Sequence, residues 1–306
     1  MKALVYSDFG GADRFAFDDR EVPHIGPDTV LVKVAAAGIN PVDYKVREGY
    51  LRGLIDVALP AVPGWDVAGV VEKVGLDTPE FEVGDRIVAY SRADIVQHGT
   101  VAEYAPVPVR TAAKIPDGVS FEQAAALPLA GLTALQTVER SGLGEGDTVL
   151  IHNAAGGVGS FAVQLARLRG ARVIGTASAA KHDYLRSLGA EPVEYGDRLV
   201  EQVTALAPDG IDVVLDYAGG DALDSTPQLL RDGGQVVSIA DPRARTEFDG
   251  IYAWVRPDAA QLGALAQLLA DGGLRVDVTT FPFDDAIEAY RELERGHARG
   301  KIVVVL

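Results

Sequence analysis

The sequence of 306 residues contains no cysteine. Disulfides, thiolate nucleophiles, iron–sulfur clusters and zinc sites built on cysteine are therefore excluded. The chain has five histidines, and they are scattered without the spacing of metal ligands: His24, His98, His152, His182 and His297. We expect no metal site.

Positive charge is scarce as well. The chain carries 28 Lys and Arg residues against 44 Asp and Glu residues, a formal net charge of −16. A field of this sign repels phosphate backbones and no basic run offsets it, so we expect no nucleic-acid partner. Long apolar runs are also absent, and stretches such as 302–306 are far too short to span a bilayer. Neither end resembles a targeting peptide, and we expect a cytoplasmic protein without membrane contact.

The sequence does have enough apolar residues, 48% of the total, for more than one core. Short β-branched runs separated by turn residues occupy positions 1–118 and predict an antiparallel, β-rich domain. From residue 147 onward, apolar strands alternate with amphipathic helices, which is typical of a doubly wound parallel sheet. We predict an α/β fold with two domains, formed by residues 1–118 with 259–306 and by residues 119–258. The last strand, 301–306, is expected to rejoin the first domain.

A glycine-rich loop follows the first strand of the predicted parallel sheet. It reads Asn-Ala-Ala-Gly-Gly-Val-Gly over residues 153–159 and leads directly into a helix. Gly156 and Gly157 allow the backbone to approach a pyrophosphate, and Gly159 permits close packing of the helix on the strand. The helix N-terminus then supplies amide donors and a positive dipole end. This order predicts a dinucleotide site; the alternative is a tight turn without a ligand.

The end of the second strand of this sheet bears on the choice of cofactor. A site for NADH usually places a carboxylate there, to bind the ribose 2′-hydroxyl. This sequence has none over residues 175–178, and Ser178 and Lys181 follow instead. These two residues could bind a 2′-phosphate, so NADPH is favoured over NADH. The alternative is that Lys181 is only a solvated residue of a helix.

Several segments together resemble one known family. They are Gly38–Asp43 (GINPVD), 63–69 (PGWDVAG), 83–87 (VGDRI), Leu127-Pro128 with Thr133-Ala134, the glycine loop, and 296–301 (GHARGK). In this order they resemble the quinone oxidoreductase branch of the medium-chain dehydrogenase/reductase superfamily. The resemblance implies a GroES-like catalytic domain and a Rossmann domain. Relatives with catalytic zinc hold it through a cysteine near Asn40 and a histidine near Trp65, so this sequence matches the zinc-independent branch.

The resemblance also implies cofactor contacts. Asn40 would lie beside the nicotinamide ribose, and Thr133 would contact the cofactor. The remaining predicted contacts are grouped by the part of the cofactor that they would meet: Gly156, Gly157 and Val158 the pyrophosphate; Ser178 and Lys181 the 2′-phosphate; Tyr195 the adenosine; Ala218, Gly219, Ser238 and Ile239 the nicotinamide half. Ala155 and Lys301 are predicted as further cofactor contacts. Each of these residues also has a purely structural alternative, such as a turn former for Asn40 or a surface aromatic for Tyr195.

The implied reaction is hydride transfer from NADPH to a quinone or to the β-carbon of an enone. The predicted catalytic residues are Asn40, Tyr44 and Tyr50, because a phenol can donate a hydrogen bond to an oxyanion. Packing roles are the alternative for both tyrosines. Trp65 would supply apolar surface for a flat, hydrophobic substrate. Two other functions stay open: an enoyl-thioester reductase and a non-catalytic, NADPH-binding redox sensor.

The segment 251–256 is β-prone and aromatic. It resembles the strand through which relatives extend their sheets across a two-fold axis, which implies a homodimer. A buried strand within one chain is the alternative.

Overall fold

The computed structural model describes residues 1–296 and 298–306. His297, within the segment GHARGK, lies outside the described residues. The chain forms two compact units, one of residues 1–132 with 257–306 and the other of residues 133–256. Among the described helices, none is long and apolar enough to cross a membrane.

Most of the first unit is antiparallel β-structure. Its strands in the first part of the chain are β1 (Lys2–Tyr6), β2 (Phe15–Asp19), β3 (Thr29–Ile39), β4 (Asp56–Val62), β5 (Asp66–Lys73), β6 (Arg86–Tyr90), β7 (Ile95–His98), β8 (Tyr104–Pro108) and β9 (Ala112–Lys114). Three helices lie within or begin in this part of the chain: α1 (Pro41–Arg47), α2 (Phe121–Ala125) and α3 (Pro128–Arg140). At the start of α1, the Asp43 side chain accepts a hydrogen bond from the backbone N–H of Asn40, and Pro41 pre-sets the backbone.

The second unit alternates strands and helices. Its elements are β10 (Thr148–His152), α4 (Gly157–Leu168), β11 (Arg172–Thr176), α5 (His182–Leu188), β12 (Glu191–Val193), α6 (Leu199–Leu206), β13 (Ile211–Asp216), α7 (Thr226–Leu229), β14 (Leu230–Ser238), α8 (Arg243–Thr246) and β15 (Ile251–Tyr252). The chain then returns to the first unit through α9 (Ala259–Ala270), β16 (Val278–Pro282), α10 (Ala286–Arg295) and β17 (Lys301–Val305).

The strands of the second unit form one parallel sheet in the order β12-β11-β10-β13-β14-β15. Every residue of β13 is buried, as expected for a central strand covered on both faces. The direction of winding reverses between β10 and β13, and ligands of such sheets bind at the carboxyl ends of the strands at this point. The glycine-rich loop follows β10. The predicted fold class is confirmed.

In the first unit, β17 pairs antiparallel with β3, so the last strand rejoins the N-terminal sheet as expected. The boundary near residue 119 differs from the prediction, because residues 119–132 belong to the first unit. A Cβ built on Gly38 of β3 would lie 2.2 Å from the carbonyl oxygen of Ala125, which shows how closely α2 packs there. The composition becomes helical near residue 119, but the packing partners change only after residue 132.

The predicted strand at 251–256 is shorter than expected. Only Ile251 and Tyr252 are in strand conformation, and they pair in parallel with β14 at the edge of the described sheet.

Candidate cofactor and catalytic site

The glycine-rich loop forms the start of α4. Gly156 is the N-cap residue of this helix, and a glycine has no side chain that could accept a hydrogen bond from the first-turn amides. Amides at a helix N-terminus need acceptors, and the helix dipole favours a negative one. An uncapped N-terminus at the winding reversal of a parallel sheet therefore fits a pyrophosphate.

Gly159 is required by close packing. A Cβ at this position would lie 2.2 Å from the carbonyl oxygen of Asn153 and 2.6 Å from Cα of Ala154, both backbone atoms. Neither atom can move without displacing the loop. The prediction that Gly159 allows the helix to approach the strand is therefore supported by the geometry.

Asn153 fixes the path of the loop. Its φ of 55° lies in the left-handed region, which Asn adopts more readily than most residues. Its backbone N–H donates to Oγ1 of Thr176 at 3.0 Å, and its side-chain amide donates to the carbonyl oxygen of Tyr217 at 3.2 Å. The loop is thus tied to the ends of β11 and β13.

Asp216 brings together the residues that are predicted to contact the nicotinamide half of the cofactor. Sequence reasoning did not identify Asp216. One carboxylate oxygen of this fully buried residue accepts hydrogen bonds from the backbone N–H groups of Ala218 and Gly219, both at 2.9 Å. The other accepts a hydrogen bond from Oγ of Ser238 at 2.7 Å. Ile239 is adjacent, since its N–H donates to the Asp216 carbonyl oxygen. The available signal was an aspartate that directly follows the apolar run 213–215 and ends the strand.

The other predicted contacts of the second unit occupy different environments. Thr133 is 3% exposed, whereas Tyr195 is 68% exposed just beyond the end of β12. Ser178 caps a single turn of 3-10 helix that contains Lys181. Both are half-buried, and burial lowers the pKa of Lys181. Their roles toward the cofactor stay predictions.

In the first unit, Asn40 belongs to a buried polar network. Its side-chain Nδ2 donates to Asp66 at 2.8 Å, and its backbone N–H donates to Asp43 at 2.8 Å. Nζ of Lys301 donates to the side-chain oxygen of Asn40 and to the carbonyl oxygen of Ile39. The structure thus brings together two predicted cofactor residues, Asn40 and Lys301, and adds two carboxylates that sequence reasoning did not assign.

Burial dominates the ionisation of this network. It raises the pKa of Asp66 to about 6, although Lys301 and the hydrogen bond from Asn40 oppose the shift. Burial also raises the pKa of Asp43 to about 7, against the hydrogen bond from the Asn40 backbone. The pKa of Lys301 is lowered for the same reason, with both carboxylates opposing. The ammonium group of Lys301 therefore acts on both buried carboxylates.

The raised pKa of Asp43 predicts a pH-dependent stability. An unfolded chain releases this proton at about pH 4, whereas the folded protein retains it up to about pH 7. Folding therefore loses stability across this interval, on the order of 1 kcal/mol per pH unit. The free energy of unfolding of the wild-type protein should fall relative to that of Asp43→Asn as the pH rises from 5 to 7, and the difference should level off above pH 7. Chemical denaturation at several pH values measures the difference.

Asp85 provides the matched control for this prediction. Lys114 and the Glu82 amide hold the pKa of its carboxyl below the usual range, so the opposite sign applies. The stability that Asp85 contributes is present at neutral pH and lost only as the pH falls below about 4. Asp85→Asn should therefore show no gain over wild type between pH 5 and 7. A pH-independent difference for Asp43→Asn would contradict the prediction.

The predicted catalytic tyrosines differ in exposure. Tyr44 is half-buried, and burial together with the charge of Glu48 raises the pKa of its phenol. Tyr50 is 76% exposed. Trp65 is 4% exposed and lies edge-on to Tyr90, with ring centroids 6.2 Å apart.

A cavity of about 1030 Å³ opens in the first unit. Its lining includes Ser91, whose backbone N–H donates to the Trp65 carbonyl oxygen at 2.7 Å, together with Ile95 and Pro257. None of the residues predicted from the sequence to be catalytic or cofactor-binding lines it.

Asn40 and Trp65, the two positions that the resemblance relates to zinc ligands, carry an amide and an indole, and neither group is a usual zinc ligand. In the part of the chain that the structure describes, no three His, Cys, Asp or Glu side chains cluster in a way that could hold a metal ion.

Comparisons with known proteins show the family to which the chain belongs. A family model described as "Alcohol dehydrogenase GroES-like domain" matches residues 26–117, and one described as "Zinc-binding dehydrogenase" matches residues 188–304. The NADPH-dependent alkenal/one oxidoreductase, chloroplastic, of Arabidopsis thaliana is 38% identical over 99% of this chain and 79% of its own length. The chain belongs to the quinone oxidoreductase branch of the medium-chain dehydrogenase/reductase superfamily. The family predicted from the sequence segments is therefore confirmed.

Solved structures support the same family. The structure of the quinone oxidoreductase from Coxiella burnetii matches this chain with a TM-score of 0.90 at 33% identity. The match covers 100% of this chain and 99% of the Coxiella chain. A mycobacterial protein complexed with NADPH matches with a TM-score of 0.88 at 28% identity, covering 100% of each chain.

Proposed function

We propose that this protein is an NADPH-dependent oxidoreductase that reduces a quinone or an α,β-unsaturated carbonyl compound. The observation that carries the proposal is the uncapped, glycine-rich N-terminus of α4 at the winding reversal of a parallel sheet. The names of the relatives, an NADPH-dependent alkenal/one oxidoreductase and a quinone oxidoreductase, support the cofactor and the class of substrate.

The residues of the chain bind and orient the cofactor and the substrate, whereas NADPH supplies the hydride when bound. The amides at the start of α4 would hold the pyrophosphate, and the family resemblance assigns Asn40 to the nicotinamide ribose. Tyr44 donates a hydrogen bond to the oxygen that becomes negatively charged as the β-carbon of an enone accepts the hydride. A proton from solvent then completes the saturated carbonyl compound.

Isotope transfer tests this reaction directly. NADPH carrying deuterium at the transferred C4 position should place one deuterium on the β-carbon of an enone, with a solvent proton on the α-carbon. Mass spectrometry of the product measures both. Faster turnover of enoyl thioesters than of free enones and quinones would instead favour a thioester reductase. Tight NADPH binding without turnover of any of these compounds would favour a redox sensor.

The two predicted catalytic tyrosines differ in exposure, so their substitutions should differ in effect. Tyr44→Phe should lower kcat by about 10-fold to 100-fold, because a half-buried phenol is a stronger oxyanion donor than one open to water. Tyr50→Phe should cause a smaller loss, because Tyr50 is 76% exposed. Steady-state kinetics with one enone measures both variants. An unchanged kcat for Tyr44→Phe would remove Tyr44 from the mechanism.

We also propose a homodimer formed through the β15 edge. Tyr252 and Trp254 are 44% and 39% exposed there, and an isologous dimer is the commonest symmetric assembly. Sedimentation equilibrium should give about twice the chain mass of 32.2 kDa. A monomer mass would contradict the proposal.

We also propose that turnover does not require zinc. The proposal rests on the side chains of Asn40 and Trp65, which are not usual zinc ligands, and it predicts full activity in the presence of a chelator. A cytoplasmic location stays a prediction from the sequence.

A further inference from the structure

The side-chain amide of Asn40 lies between two opposite charges. Its oxygen accepts a hydrogen bond from Nζ of Lys301, and its nitrogen donates to a carboxylate oxygen of Asp66 at 2.8 Å. Nζ of Lys301 is 3.7 Å from the same carboxylate oxygen. Exposed fractions are 2% for Asn40, 0% for Asp66 and 4% for Lys301, so water cannot replace either partner.

This arrangement permits only one orientation of the amide. If the side chain of Asn40 were turned over, its oxygen would face the acceptor-only carboxylate, and its NH₂ group would face an ammonium that can only donate. Both contacts would be repulsive and shielded from solvent, where such conflicts are most costly. The ion pair therefore determines which way Asn40 presents its one remaining N–H.

The two charges are themselves held in place. Asp66 begins β5, where it pairs with Gly38 of β3 and Tyr90 of β6, and its second oxygen accepts the Leu129 N–H at 2.9 Å. Lys301 begins β17 and also donates to the carbonyl oxygen of Ile39 at 3.0 Å. Each charge is thus fixed by backbone contacts that do not involve the Asn40 side chain.

We propose that Asp66 and Lys301 are positioning residues that lock the amide of Asn40 in the orientation required to bind NADPH. This inference rests on the proposed function, because it concerns how one predicted contact of that cofactor is oriented. Lys301 acts through Asn40, since Nζ donates to Ile39 O and Asn40 Oδ1 and forms an ion pair with Asp66, whose Oδ2 lies 3.7 Å away. We therefore assign Lys301 to the orientation of Asn40 and not to direct contact with the cofactor.

Asp66→Asn is the informative substitution. The new amide would use its oxygen to accept the Leu129 N–H and would turn its NH₂ group toward Asn40. That group would attract the Asn40 oxygen, which would leave the nitrogen of Asn40 facing Lys301. The orientation of Asn40 would be lost while the volume of the side chain is kept.

The test is a double-mutant cycle on the Kd for NADPH with Asp66→Asn, Asn40→Ala and both together. Asp66→Asn should raise Kd by about 10-fold in the wild-type background. It should raise Kd less than about twofold when residue 40 is Ala, because no amide is left to orient. The same factor in both backgrounds would overturn the positioning role of Asp66.

Two further variants separate positioning from folding. Asp66→Asn with Lys301→Met removes both charges, which should restore thermal stability without restoring Kd. Asp212→Asn is the matched control: Asp212 is also buried, accepts the Thr148 N–H at 2.7 Å and pairs with Arg231. It should lower Tm while leaving the Kd for NADPH within about twofold. Recovery of Kd together with Tm in the charge-free double variant would reject positioning.

Failure of this inference can be told apart from failure of the proposed function. The wild-type protein is titrated first, and absence of NADPH binding there would refute the proposed function itself. Normal binding by the wild type, with independent effects of the two substitutions, would refute only the role assigned to Asp66 and Lys301.

Discussion

A Gly159→Ala variant should lose detectable NADPH binding and about 3 kcal/mol of stability, a cost typical of inserting a methyl group against rigid atoms. The added Cβ would lie 2.2 Å from the Asn153 carbonyl oxygen. Relief of that contact requires the loop and the first turn of α4 to separate, which displaces the amides that we propose hold the pyrophosphate. Cofactor titration and chemical denaturation measure the two effects.

Gly263→Ala is the matched control, because Gly263 also lies inside a helix, α9. A Cβ there would be 3.6 Å from Cβ of Ala113, an ordinary van der Waals contact. Removing a helical glycine should raise stability by about 0.5–1 kcal/mol and leave NADPH binding unchanged. If Gly159→Ala behaved like Gly263→Ala, the close packing of α4 on the loop would be refuted.

A Lys181→Ala variant should weaken NADPH binding by about 10-fold to 100-fold, the range for loss of a charge-assisted hydrogen bond to a phosphate. The Kd for NADH should change less than about threefold, since NADH has no 2′-phosphate. The preference for NADPH should therefore largely disappear. Titration of both cofactors against the same preparation measures the change.

Lys114→Ala controls for the loss of one positive charge. Lys114 pairs with Asp85 at the surface of the first unit. Its removal should leave both dissociation constants unchanged. Equal weakening of NADPH and NADH binding by Lys181→Ala would show that Lys181 does not recognise the 2′-phosphate.

The sequence was sufficient to predict the fold class because its signals are local. The short apolar run 213–215 within β13, the glycine-rich loop before α4 and the β-branched runs of the first 118 residues each depend on neighbouring residues. The boundary near residue 119 could not be placed in the same way. Helical composition starts there, but which core a helix packs against is decided by contacts distant in sequence.

Buried carboxylates were missed for the same reason. Asp66 receives its partners from Asn40, 26 residues away, and from Lys301 on the last strand. Asp216 organises Ser238, 22 residues later. An aspartate in an apolar strand indicates a buried polar contact, but no local pattern identifies the donor. Exposure was also not predictable from the sequence. Tyr50 lies in the segment predicted to form the substrate cleft, yet it is 76% exposed.

The central claim is most directly tested by titrating the purified protein with NADPH and NADH and then following NADPH absorbance with a quinone and an enone. The account predicts tight binding of NADPH, weaker binding of NADH, and loss of NADPH absorbance with at least one of the two substrates. No binding of either cofactor would contradict the account.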